Sequence, residues 1–203
     1  MTDVTLYDAI PIDVDQGEPA RPRLLLIATS LVSAAFFVGY SGLVGFYLSE
    51  RAAVRATGGQ WLPEGVTIPL TQPNFMMTTM VFSVFSVYWA VSSIRGNDRA
   101  NALVAFGLTL MFGFAQIAQT GFLLTIMDMP AAESSQAVLI YSLVGVQVAM
   151  MAAAMGYVVV MTIRTFGGGY SAKDYEGVLS AAMFWTMAVG VYSILWYAVY
   201  ITK

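Results

Sequence analysis

The sequence predicts an all-α, polytopic membrane protein, a five-transmembrane-helix bundle, and three observations carry that reading. Hydrophobic residues make up 58% of the 203-residue chain and charged residues only 10%, against roughly a quarter charged in a soluble domain. The apolar residues fall into five blocks, each near the ~20 residues needed to cross a bilayer core. Short polar or glycine-rich linkers separate the blocks. The helical state follows from the solvent, because an open strand in lipid leaves backbone N–H and C=O groups unpaired and a helix does not.

Residues 1–23 carry Asp3, Asp8, Asp13, Asp15 and Glu18 together with Pro11 and Pro19. A signal peptide opens with positive charge and a short apolar core, so this segment reads as an acidic, flexible, solvated N-terminal tail. Residues 24–203 form the membrane domain, with spans at about 24–48, 75–94, 102–127, 137–163 and 178–201. The linkers run from Gly58-Gly59 through Pro73, across Gly96-Asn97-Asp98-Arg99, from Pro130 to Gln136, and from Gly167-Gly168-Gly169 to Glu176. Arg21, Arg23, Arg95, Arg99, Arg164 and Lys173 fall on the N-terminal side of the membrane, and Arg51, Arg55 and Lys203 on the other. Positive residues accumulate in cytoplasmic loops, so the expected N-terminus is cytoplasmic and the C-terminus external.

Composition narrows the chemistry. The chain has no histidine and no cysteine, which removes the commonest metal ligand and the thiolate nucleophile. Bis-histidine haem, zinc and type-1 copper sites, and Ser-His-Asp or Cys-His catalysis, are thereby excluded. A nucleic-acid binder needs a basic face, and a chain of net charge −3 shows none. Intramembrane ionisable residues are functional candidates by default, but Glu50, Arg51 and Asp128 all lie near span ends. The polar residues inside the spans are Gln116, Gln119, Thr120 and Gln147, which read as interhelical hydrogen-bonding groups. Gly39, Gly42 and Gly45 recur on the first span, and Ala149, Ala152, Ala153 and Gly156 line the fourth. Such small residues let helices or lipid chains approach closely. The thirteen methionines include Met76 with Met80, and Met150 with Met151 and Met155. Thioethers bind Cu(I), yet flexible apolar packing is the commoner use of methionine, and these residues read as packing groups. Trp185, Tyr192, Trp196, Tyr197 and Tyr200 read as an interfacial belt and packing set.

The order of these features resembles subunit III of the haem-copper respiratory oxidases, the cytochrome c oxidase group, in a short form lacking the first two of seven helices. Phe36-Phe37-Val38-Gly39-Tyr40 is similar to the family's FF-x-G-F run. The resemblance continues through Tyr47 and Arg51 to Gly59-Gln60-Trp61-Leu62-Pro63-Glu64-Gly65, similar to the family's G-x-W-P-P-x-G linker. Trp89-Ala90, the turn Gly96-Asn97-Asp98-Arg99 and the stretch Leu108 to Gln119 follow at family spacing. Ala182-Met183-Phe184-Trp185 through Tyr200 resembles the closing segment that begins YWHFVD. These matches extend over about four fifths of the chain.

The departures concern ionisable groups. Ser33 or Ala34 stands where the family carries a membrane-embedded Glu, and Phe122 or Leu123 where it carries a second. Gln147 and Met150 replace the two histidines of its GFHxxHV run, and Thr186 and Val189 replace the His and Asp of its closing segment. The resemblance therefore implies a scaffold without the proton-handling groups. It implies a non-catalytic accessory subunit of a bacterial haem-copper terminal oxidase, multi-pass in the plasma membrane, that stabilises catalytic subunit I and bound phospholipid. This chain would bind no haem or copper itself; both belong to the partner catalytic subunit. Packing roles then fall to Gly39, Gly42, Gly45, Gln119 and Gln147. Trp61 and Pro63 shape the external linker, and Arg51 pairs with a lipid headgroup. A subunit III-like component of a nitric oxide reductase, or a small transporter or channel component, are the alternative readings.

Overall fold

Apolar blocks of this length satisfy their backbone hydrogen bonds internally, and the computed structural model places one helix on each. It describes residues 23–62, 65–127, 129 and 134–202. The helices are α1 (Leu24–Ala56), α2 (Thr71–Arg95), α3 (Arg99–Met127), α4 (Ser135–Phe166) and α5 (Glu176–Leu195), the last continuing as a π-helical turn, Trp196–Ile201. All five are long and apolar enough to cross a membrane. The described residues include no strand.

The helices outrun the apolar blocks because their ends are set by capping chemistry, which hydropathy does not register. α1 continues past Leu48 to Ala56, where Gly59 N–H bonds Val54 O and Gly58 N–H bonds Arg55 O. The same pair of bonds closes α2, from Asp98 to Ser93 O and Asn97 to Ile94 O, and α4, from Gly169 to Arg164 O and Gly168 to Thr165 O. This is the Schellman arrangement, which needs one residue in the left-handed region just past the helix. Gly58, Asn97 and Gly168 supply it, with φ of 78°, 55° and 80°. The starts are equally local. Asp98 accepts the Asn101 N–H at 3.0 Å and Ser134 the Ala137 N–H at 3.0 Å, as N-cap side chains do. α2 begins at Thr71, ahead of the expected Phe75, and its first turn tolerates Pro73 because the first N–H groups of a helix have no internal partner.

α5 is the centre of the bundle, packed against α1, α2 and α4. α2 and α3 form a close antiparallel hairpin, and α3 packs on α4. α1 stands at the edge, resting mainly on α5 and more lightly on α4. Its inward face carries Thr29, Ser33, Tyr40, Val44, Tyr47 and Arg51, a three-to-four-residue repeat that makes one helical stripe. The bundle thus has an N-terminal face, holding the start of α1, the α2–α3 turn and the α4–α5 loop. The opposite, C-terminal face holds the α1–α2 linker and the end of α5.

Candidate functional site: polar contacts between the helices

Four sets of polar contacts tie the helices, and their positions decide what the bundle can do. The first lies on the α3–α4 seam. Gln116 Nε2 donates to Gln147 Oε1 at 3.1 Å and to Thr120 Oγ1 at 3.1 Å, and Thr120 Oγ1 donates to Gln116 O at 2.9 Å. Gln116 and Gln147 are 0% and 1% exposed, so the pair is an interhelical hydrogen bond inside the bundle. Gln147 is therefore in the seam, but Gln116 is its partner, where the sequence pointed to Gln119. Gln119 is half-buried and outside this network. At about 100° per residue, Gln119 lies about 60° around the helix from Gln116 while Thr120 lies about 40° the other way. Each paired amide leaves one atom, Gln116 Oε1 and Gln147 Nε2, buried with no partner among the described residues.

The second set joins α2, α3 and α5. Ser86 and Thr109 share a hydroxyl bond of 2.8 Å, and Trp185 Nε1 donates to Ser83 Oγ at 2.9 Å. Trp185 is fully buried, and α3 makes room for it with Gly113. A Cβ there would sit 2.8 Å from Trp185 Cη2 and 2.9 Å from Met155 Sδ. Three helices therefore meet at one glycine, a contact the small-residue pattern did not single out because only one small residue takes part.

The third set is on the N-terminal face. Glu176 Oε1, in the first turn of α5, accepts the Leu26 N–H of α1 at 2.9 Å. Asn97 Oδ1 accepts the Ala172 N–H at 2.8 Å, joining the α2–α3 turn to the α4–α5 loop. The Arg95 and Arg164 guanidinium groups lie 5.3 and 4.9 Å from the ring centroids of Tyr175 and Tyr170, within cation–π range. Tyr170 donates to Met161 Sδ at 2.9 Å, with Gly177 packed against its hydroxyl. Burial pushes the Tyr170 phenol above its ordinary pKa, and Arg164 partly offsets that.

The fourth set is on the C-terminal face. Arg51 was expected to meet a lipid headgroup; instead its guanidinium turns into the bundle, and the residue is 5% exposed. Nη1 donates to Ala198 O at 3.2 Å and to Thr202 Oγ1 at 2.9 Å. A cation at a helix C-terminus meets the negative end of the macrodipole and unpaired carbonyls. Trp61 is buried and donates from Nε1 to Tyr47 Oη at 3.1 Å, the two rings meeting edge to face at 5.3 Å. The linker tryptophan is thereby a plug seated on the α1 end. Pro63 lies outside the described residues. Tyr192 donates to Pro73 O at 3.1 Å and Trp196 to Asn74 Oδ1 at 2.9 Å, which ties α5 to the start of α2.

The three glycines of α1 do not pack against another helix of this chain. Gly39, Gly42 and Gly45 are all on the exterior, and a Cβ at any of them would meet nothing within 4 Å. The reason is rotational, since the stripe from Thr29 to Arg51 already occupies the face toward α5. Gly39 does border an apolar groove of about 380 Å³ between α1 and α4, lined by Val32, Ala35, Phe36, Leu43, Val146 and Met150, with Tyr40 at its floor. Tyr40 points its hydroxyl away, to Leu143 O at 3.2 Å. Among the described residues, no group of three or more carboxylates is placed to hold a metal ion.

No protein-family model matches the chain. Curated relatives do. The chain is 35% identical over 96 residues to cytochrome c oxidase subunit 3 of Gallus gallus, an alignment covering 46% of this chain and 35% of that protein. It is 33% identical over 96 residues to the subunit 3 of Carassius auratus and 33% over 95 residues to that of Homo sapiens, with the same coverage. The chain therefore spans about a third of the length of the relatives it matches. Over that segment it is related to the subunit III family, and the match is shorter than the four fifths that the motifs suggested. With five helices long and apolar enough to span, it is a multi-pass membrane protein that resembles cytochrome c oxidase subunit 3 over that segment.

Proposed function

We propose that this chain is a non-catalytic accessory subunit of a bacterial haem-copper terminal oxidase, lying in the plasma membrane with its N-terminus cytoplasmic. The observation that carries the reading is the 96-residue segment 35% identical to subunit 3 of cytochrome c oxidase. The character of the bundle supports it. Among the described residues its buried polar groups are amides, hydroxyls and indoles together with one guanidinium, Arg51, and the charged residues of the spans sit toward helix ends. A bundle of that kind contributes packing surface and leaves electron transfer to haem and copper in a catalytic partner. The open exterior of α1 and the apolar groove beside it supply surface for that partner and for acyl chains of bound phospholipid.

The test is co-purification of the tagged chain from native membranes in a mild detergent. Haem absorbance and a catalytic subunit at one-to-one stoichiometry are the expected result. A colourless chain recovered alone, from membranes whose oxidases remain assembled in the same detergent, would overturn the proposal.

A further inference from the structure

Exposed cations gather on the N-terminal face: Arg23 ahead of α1, Arg95 at the end of α2, Arg99 at the start of α3, Arg164 near the end of α4 and Lys173 in the α4–α5 loop. Contacts between these elements hold the group together. Asn97 Oδ1 accepts the Ala172 N–H at 2.8 Å, which sets Lys173 beside the α2–α3 turn. Arg95 lies over the Tyr175 ring and Arg164 over that of Tyr170, and the Arg99 guanidinium reaches the Gly168 carbonyl at 3.5 Å. Glu176 accepts the Leu26 N–H, which brings the start of α1, with Arg23, to the same loop.

The opposing charge on this face is largely committed. Its carboxylates among the described residues are Asp98, Asp174 and Glu176. Asp98 caps α3 and receives the Asn101 side-chain amide at 2.6 Å, and Glu176 receives Leu26. None of the cations forms an ion pair among the described residues. Cations massed at a bilayer edge repel one another, and the low-dielectric lipid beside them strengthens pairing with an anion.

The chain carries the complementary charge itself. Residues 1–20 hold Asp3, Asp8, Asp13, Asp15 and Glu18 with no lysine or arginine, and they join the bundle through Arg23, on this face. At up to ~3.5 Å per residue, the chain from Glu18 to Arg23 can reach ~17 Å and that from Asp13 ~35 Å, enough to cross several helix ends spaced about 8–10 Å apart. The tether makes pairing intramolecular, with an effective concentration on the order of mM for a short linker, so that surface ion pairs, weak one by one, act together.

We propose that the acidic segment 3–18 docks across the N-terminal face, pairing its carboxylates with Arg95, Arg99, Arg164 and Lys173 and covering those cations against other anions. The segment that sequence alone reads as solvated thereby becomes a cover over one end of the bundle, whichever complex the chain joins.

The chain has no cysteine, so Ile10→Cys in the segment and Ala100→Cys on the exposed first turn of α3 each take one spin label. Pulsed electron spin resonance then measures their separation in the full chain, in phosphatidylcholine nanodiscs. A short, narrow distance distribution is expected at low salt, broadening at high salt as exposed charges are screened. Arg99→Gln with Lys173→Gln should cut the docked fraction about fivefold, since each exposed pair is worth roughly a factor of two to three. Asp8→Asn, Asp13→Asn and Asp15→Asn together should do the same while leaving the bundle's own contacts untouched. A broad distribution at low salt, or a narrow one that either set of substitutions leaves unchanged, would overturn the proposal. So would a distance that is narrow in phosphatidylcholine and lost in phosphatidylglycerol, which assigns the cations to lipid headgroups.

Discussion

α1 and α5 are parallel neighbours of similar composition, yet one is the periphery of the molecule and the other its axis. Only 17% of the most apolar stretch of α1 is buried, against 61% of that of α5. Hydropathy does not separate them, since the two stretches are equally apolar. In a bilayer it cannot, because lipid tails are as apolar as leucine and exert no hydrophobic pressure between helices. What separates them is the placement of polar and small groups. α5 presents Trp185 to Ser83 and Gly113, and Tyr192 to Pro73 O. α1 is held to α5 chiefly at its ends, by Glu176 on its first turn and by its own Arg51 on the last turn of α5. The two contacts are reciprocal, an anion at one helix's N-terminus and a cation at the other's C-terminus, each matched to the local macrodipole. From Leu26 to Arg51 α1 rises ~38 Å at 1.5 Å per residue, so these clamps fix the register of the pair across the bilayer.

The comparison breaks most easily at the axis. Trp185→Ala empties the junction of α2, α3, α4 and α5 and should cost about 3–5 kcal/mol, read as the largest drop in Tm among these variants. Gly113→Val should come close to it, because its Cβ would be driven into Trp185 and Met155. Arg51→Met should cost about 1.5–3 kcal/mol, the range for hydrogen bonds made by charged groups. Faster hydrogen exchange confined to the end of α5, where Arg51 meets Ala198 O, should accompany the loss. Gln116→Leu and Gln147→Leu should each cost about 1–2 kcal/mol. The double variant should cost less than their sum, since a single substitution strands the other amide in the seam, and a double-mutant cycle measures that coupling. Glu176→Gln keeps an acceptor for Leu26 N–H and loses only charge, so about 0.3–1 kcal/mol is expected. Gly42→Leu sharpens the contrast from the other side. Nothing lies within 4 Å of a Cβ there, so the isolated chain should unfold as before. Loss of oxidase co-purification in that variant would mark the open face of α1 as the surface used in assembly.

The helices themselves were legible because their signals are local. The five blocks, the polar breaks and the residues that end α1, α2 and α4, Gly58, Asn97 and Gly168, are all readable within a few positions. Gln147 was legible as well, as an amide at mid-span. Its partner was not, because choosing between Gln116 and Gln119 requires the rotation of α3 about its axis, which depends on every neighbour packed against it. The glycines of α1 misled for a related reason. A small-residue face states that close approach is possible, and only the arrangement of the other helices says whether one of them makes it.

Composition and hydropathy are enough to establish a helical membrane protein of five spans. The same composition lacks the imidazole and thiolate groups of the usual metal and nucleophilic sites. Those conclusions rest on composition and on the backbone's need for hydrogen bonds in lipid. That α5 is the axis, that Arg51 turns inward to the end of α5, and that Gly113 is a glycine at which helices meet emerge from the packing of the folded bundle. The physical reason is that apolar helices in an apolar solvent are sorted by shape and by a few polar contacts between residues distant in sequence, such as Leu26 with Glu176 and Ser83 with Trp185.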